Sequence, residues 1–294
     1  VAEPRAAGAI YDLGYQRYTG QRLGRMHAIR ALFAYSLRAA FGLSRGERAK
    51  SIPMLCLALV YLTAFGQIAA ASTTGRPGLI NYANLLEFTG FFVALFAAAQ
   101  APELIVADKQ HGTLSLYLSR PILGADYAIA KIAALTTAML VMTLGPQLVL
   151  FLGKVGIAAS PWTELGNEKA KLLPIIGGTL MMSIFIASIG LALSSFASRR
   201  GYGSAAVIVF FLLMPALVTM FRTVVTGDLR RYAILANPVF LSLGFTQWLF
   251  EIEARRRSAV GRADLPGQLY LYVMLAVSAI CIAWLLRRYR KDHA

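Results

Sequence analysis

The sequence predicts an all-α membrane protein with six transmembrane helices, an N-terminal interfacial helix and a short re-entrant or interfacial helix before the last span. Three observations predict it. Of the 294 residues, 57% are hydrophobic and the mean hydropathy is +0.60, whereas soluble domains sit nearer half apolar. The apolar residues gather into repeated runs of about twenty, the length a helix needs to cross a bilayer. The net charge of +15 is crowded into the first fifty residues, the last eight and a few loops, as when cationic loops stay on the cytoplasmic side. A nucleic-acid-binding protein can be as basic, but its Lys and Arg would form a stripe on a soluble fold. The apolar runs argue against nucleic acid as a partner.

Residues 1–20 are polar and Tyr-rich, with Tyr11, Tyr15 and Tyr18 among Asp12, Gly14 and Arg17, and read as an irregular cytoplasmic lead-in. Over 21–43, Met26, Ile29, Phe33, Leu37 and Phe41 recur at helical spacing. This is an imperfect amphipathic helix whose arginines can snorkel to headgroups. The spans are expected at 52–71, 82–105, 127–152, 172–196, 203–221 and 269–286, the fifth with a kink at Pro215. Residues 237–250 are apolar for too short a stretch to span, so they read as the re-entrant or interfacial helix. The division is a lead-in with interfacial helix over 1–51 and one six-span domain over 52–294, without internal repeats.

An even number of spans puts both termini on one side. Nine Arg or Lys in the first fifty residues, and Arg287, Arg288, Arg290 and Lys291 at the end, assign that side to the cytoplasm. The exception is the fifth loop, with seven basic residues from Arg222 to Arg262. Arg outnumbers Lys 22 to 7 and Ala is abundant, a usage associated with GC-rich bacterial genomes, so the expected site is a bacterial inner membrane.

The most informative segment lies between the second and third spans. Glu103 and Asp108 fall at the cytoplasmic end of the second span, Gly112 can break the helix, and Thr113 can cap a new one. Leu114, Leu116 and Tyr117 then offer an apolar knob, and Pro121 ends the segment. A short helix of this kind can plug into a groove on a soluble partner; the plain alternative is a connecting loop. No GxxxxGK[ST] occurs, since Gly153-Lys154 lacks both the upstream glycine and a following Ser or Thr. Any use of ATP therefore falls to another subunit.

The run Asp108-Lys109-x-x-Gly112-Thr113-Leu114-x-Leu116-x-x-Ser119-Arg120-Pro121, with Lys131 ten residues later, resembles the signature of type-2 ATP-binding cassette (ABC) exporter permeases. It departs from that pattern at Leu123-Gly124, where many relatives carry Ser-Arg. The span layout, cationic N-terminal helix and short apolar segment match as well. The resemblance implies a permease subunit without chemistry of its own, exporting a substrate with ATP hydrolysed elsewhere. It implies ABC ATPase subunits that bind the ATP and Mg, and a second copy or similar permease as partner, with lipid around it and an accessory protein open. It also implies that this loop, over 108–121, forms the helix contacting the ATPase. Asp108 and Lys109 are placed to fix the orientation of that contact by charge.

Ionisable or amide groups inside spans are candidates for a pathway. Glu87 lies in the outer third of the second span, at headgroup level on the plainer reading. Gln147, after Pro146, could line a pathway or bond to backbone freed by the proline. Lys131 lies within a turn of the inner interface and is expected to snorkel. Gly177, Gly178, Ser183, Ala187, Ser188 and Gly190 give the fourth span a small-residue face for close packing. A secondary transporter or channel without an ATPase is the main alternative; it would call for midplane ionisable residues, which are nearly absent. An intramembrane enzyme would need acid or His clusters within spans, and none stands out.

Overall fold

The computed structural model describes residues 23–43, 46–76, 79–118, 122–252 and 258–291. Six helices are long and apolar enough to cross a membrane: α2 (Ser51–Thr74), α3 (Tyr82–Gln110), α5 (Gly124–Ile157), α7 (Leu172–Phe196), α8 (Arg200–Val224) and α12 (Gly267–Lys291). Among the described residues the remaining α-helices are shorter: α1 (Arg25–Ala40), α4 (Thr113–Leu118), α6 (Pro161–Glu168), α9 (Gly227–Tyr232), α10 (Pro238–Leu249) and α11 (Ala259–Ala263). The lead-in around Tyr11, Tyr15 and Tyr18 lies outside the described residues.

The centre of the bundle is α3, α5 and α7, each with 56% of its most apolar stretch buried, against 22%, 11% and 22% for α2, α8 and α12. The outer spans therefore turn most of their side chains outward. Leu62, Phe65, Leu212, Met220 and Ile280 are all exposed, as suits helices bathed in hydrocarbon. Small residues let α7 enter the centre. A Cβ on Gly190 would sit 3.4 Å from Ala97 and 3.5 Å from Ala101, and one on Gly178 would lie 2.8 Å from Leu249. Ser183 meets Thr143 of α5 at 3.2 Å. Gly177 is the exception to the expected face, being exposed with nothing near its Cβ position.

Proline does not end the long helices. Pro102 lies inside α3 and Pro146 inside α5, as membrane helices allow when neighbours satisfy the freed backbone. Gly203 of α8 sits against the Pro102 ring, where a Cβ would stand 3.0 Å from its carbons. The second span consequently runs to Gln110, beyond the expected end at 105, and only a turn at His111 and Gly112 separates it from α4.

The helix α1 packs mainly along α5 and buries Leu32, Ser36 and Ala40. Ile29, Phe33, Leu37 and Phe41 pack at its edges, whereas Met26 is exposed. The buried stripe thus starts one turn later than the periodicity suggested. Arg25 fixes the register, its Nε and Nη2 donating to Asp126 Oδ2 and Oδ1 at 2.8 and 2.7 Å.

The helix α10 is capped by Asn237, whose side chain accepts from the backbone N–H of Val239 and Phe240 at 2.9 and 3.2 Å, and begins at Pro238. Both features favour a helix start. It wedges among α12, α3, α8 and α7, with Gly244 giving room to the Tyr270 ring.

At the end of the bundle away from α4, Glu168 ties four elements together. It is buried, accepts from Lys154 Nζ at 2.6 Å and Lys171 Nζ at 3.2 Å, and takes the Tyr82 hydroxyl at 3.1 Å. Hence α3, α5, α6 and the start of α7 are pinned at one point.

Candidate functional site

The candidate site is built where α3 ends. Gly112 has φ +65°, a left-handed conformation that favours glycine, and it turns the chain from α3 into α4. Thr113 is the first residue of α4, but its hydroxyl reaches back to the Asp108 carbonyl at 3.2 Å and Oδ1 at 3.4 Å. It closes the old helix instead of capping the new one.

Asp108 and Lys131 correct the sequence reading. Lys131 does not snorkel; it is 2% exposed, with Nζ 2.7 Å from Asp108 Oδ2. The same oxygen accepts from the Tyr127 hydroxyl at 2.8 Å. Asp108 is buried, so its charge is spent within the bundle and is not available to orient a partner. Lys109 also turns inward, donating to the Ser195 carbonyl at the end of α7 at 2.7 Å and lying over the Tyr289 ring of α12. A buried pair of this kind adds little net stability, but removing one partner strands a charge.

Aromatic rings extend the connection. Tyr117 of α4 lies 6.1 Å from Tyr127 of α5, which lies 5.2 Å from Tyr289 of α12, centre to centre. Leu114 and Tyr117 are half-buried against the core, so two of the three expected knob residues face the spans. The side chain of Leu116, and all of Ser119, Arg120 and Pro121, lie outside the described residues. On the far side of α3, Arg200 at the start of α8 donates to Glu103 at 3.1 Å and to Gln110 Oε1 at 3.2 Å, and it contacts His111. The root of α4 is thereby joined to α5, α7, α8 and α12.

Sequence reasoning missed Tyr127, Ser195, Arg200 and Tyr289. A signal existed for the first: an acid and a lysine in neighbouring apolar runs should pair, and Tyr127 lies four residues before Lys131, on the same helix face. The contacts of Ser195, Arg200 and Tyr289 depend on tertiary packing.

The two candidate pathway residues separate. Glu87 lines a cavity of about 430 Å³ between α3, α7, α8 and α10, with walls including Phe91, Phe185, Leu212 and Phe240. Gln147 is 1% exposed and donates to the Tyr82 carbonyl at 2.8 Å. It is a strut between α5 and the start of α3, which corrects the second reading made for it: the backbone it bonds is not the one freed by Pro146.

A family model described as ABC-2 family transporter protein matches residues 19–291. The chain belongs to the ABC-2 transporter family. No curated protein matches it. As an ABC-2 family member with six apolar helices it is a multi-pass membrane protein, the permease component of an ABC transporter. Membership implies association with ABC ATPase subunits, and it gives the cluster beneath α4 a context: a short helix at one end of a permease, wired to the spans.

Proposed function

We propose that this permease exports its substrate from a bacterial cell, across the inner membrane, using ATP hydrolysed by separate ATPase subunits that dock on residues 108–121. The observation that carries the reading is the convergence of α3, α4, α5, α7 and α12 on Asp108, Lys131, Tyr127, Lys109 and Tyr289. A displacement of α4 has nowhere to dissipate, because its ring contact and the buried ion pair behind it belong to packed spans, which change arrangement in discrete steps. The chain contributes no nucleotide chemistry; ATP and Mg bind the partner. The resemblance assigns the ATPase contact to Leu116, Ser119, Arg120 and Pro121 among others, while Tyr117 and Leu114 transmit inward.

Two copies, or one copy and a similar permease, enclose the path, and an accessory protein can join them. The exposed faces of α2 and α8 are available for the pairing, and the cavity containing Glu87 opens beside α8. In this arrangement both termini and α4 are cytoplasmic, α1 lies at the inner interface, and α10 is re-entrant from outside. The test is a photo-crosslinker at position 116 in the permease co-expressed with its ATPase. Capture of the ATPase at 116, and none with the probe at 76, supports the reading; equal capture at both, or none at 116, contradicts it.

A further inference from the structure

We infer that the end of the bundle opposite α4 holds a binding site for the phosphate of an anionic phospholipid headgroup. A pocket of about 370 Å³ is lined there by Thr219, Arg222, Thr223, Arg230, Arg231 and Arg262, contributed by α8, α9 and α11. Four arginines thus line one space. Among the described residues their single ion pair is Arg231 with Asp228 at 3.8 Å, and Asp228 is 84% exposed.

The four arginines divide the work. Arg222 donates to the Arg230 carbonyl at 3.1 Å and the Ala259 carbonyl at 3.5 Å, and Arg231 to the Ala263 and Asp264 carbonyls at 3.1 and 2.9 Å. These two frame the pocket by holding three chain segments together. Arg230 and Arg262 are exposed, and their guanidinium groups make no hydrogen bond or ion pair among the described residues. Like charges gathered in this way repel, and an anion between them removes the repulsion. The planar guanidinium fork matches phosphate oxygens in particular.

Two further observations select a lipid over a free anion. In the orientation proposed above, these arginines belong to an outer loop, where the charge rule calls for few basic residues, so their number there has no topological cause. On α8, Leu217, Met220 and Val224 are exposed by 48%, 69% and 78% at spacings of three and four, forming a strip beside the one that carries Thr219, Arg222 and Thr223. Acyl chains can lie along this apolar strip while the headgroup phosphate enters the pocket.

The site stands independently of ATPase docking and can be tested on the full permease alone. Delipidated protein in neutral detergent is titrated with dioctanoyl phosphatidylglycerol, dioctanoyl phosphatidylcholine and inorganic phosphate, with binding followed by calorimetry. Saturable phosphatidylglycerol binding is expected, weakened about tenfold or more in Arg230→Gln/Arg262→Gln and unchanged in Arg76→Gln. Phosphatidylcholine, whose ammonium the arginines repel, and inorganic phosphate are expected to bind at least about tenfold more weakly than phosphatidylglycerol. Because both substituted side chains are exposed and without a partner among the described residues, the variant should melt like the parent without lipid, and its melting curve checks this. Equal binding of the two lipids, or full affinity in the double variant, overturns the site. Inorganic phosphate binding as tightly as phosphatidylglycerol overturns the lipid as its occupant.

Discussion

Lys131 and Asp108 meet at 2.7 Å inside the bundle, with the lysine 2% exposed. They join the third span to the last turn of the second, immediately before the chain turns into α4. A buried pair at that point ties the root of α4 to two spans.

Removing one charge should expose the other. Lys131→Met leaves the Asp108 carboxylate buried without its cation, a loss of about 3–5 kcal/mol by the behaviour of broken buried pairs. Asp108→Asn combined with Lys131→Met removes both charges and should recover most of it. Thermal unfolding in detergent checks the order: wild type, then the double variant, then Lys131→Met. A double variant no better than Lys131→Met would mean that the pair is not coupled.

Tyr127 has two roles that substitution can separate. Tyr127→Phe loses the hydroxyl bond to Asp108, worth about 1.5–3 kcal/mol for a charged acceptor, but keeps the ring between Tyr117 and Tyr289. Tyr127→Ala loses both. The expected outcome in proteoliposomes is that the Phe variant is less stable yet still couples ATP hydrolysis to transport, while the Ala variant inserts but uncouples. Uncoupling by Phe alone would assign transmission to the hydrogen bond.

The close approach of α7 to α3 rests on missing side chains. Gly190→Leu must displace Ala97 or Ala101 and should cost about 1–3 kcal/mol by overpacking. Gly177→Leu, on the exposed face, should be nearly neutral. Comparable loss in both variants would contradict the packing described here.

Orientation is open to direct labelling. Single cysteines at positions 20 and 292 should resist a membrane-impermeant maleimide added to intact cells, and one at position 76 should react. Labelling at either end of the chain would overturn the proposed topology.

Much of the fold was legible because long apolar runs leave a chain few options. Six spans and the small-residue face of α7 follow from composition and spacing alone. The misreadings share a cause. The polar run after Ile105 ends the second span by local pattern, but packing of Pro102 against Gly203 and the ion pair of Glu103 with Arg200 hold α3 helical to Gln110. Local pattern also marked Asp108 and Lys109 as surface charges. Their inward partners, Lys131 and the Ser195 carbonyl, are 23 and 86 residues away in sequence and become neighbours only when α5 and α7 pack on α3. Gln147 failed for the same reason: Pro146 suggested a local partner, and the actual one is the Tyr82 carbonyl.

The central claim is that the segment around α4 receives the ATPase and passes its motion to the spans. The most direct measurement is ATPase co-purification and substrate-coupled ATP hydrolysis for Leu116→Asp, with Arg76→Asp as control. An aspartate in an apolar contact costs several kcal/mol unless it escapes to water. The account predicts that the Leu116 variant reaches the membrane in normal amount and loses ATPase binding or coupled turnover, while the Arg76 variant loses neither. Full binding and full coupling in Leu116→Asp would contradict it, leaving the segment a connector.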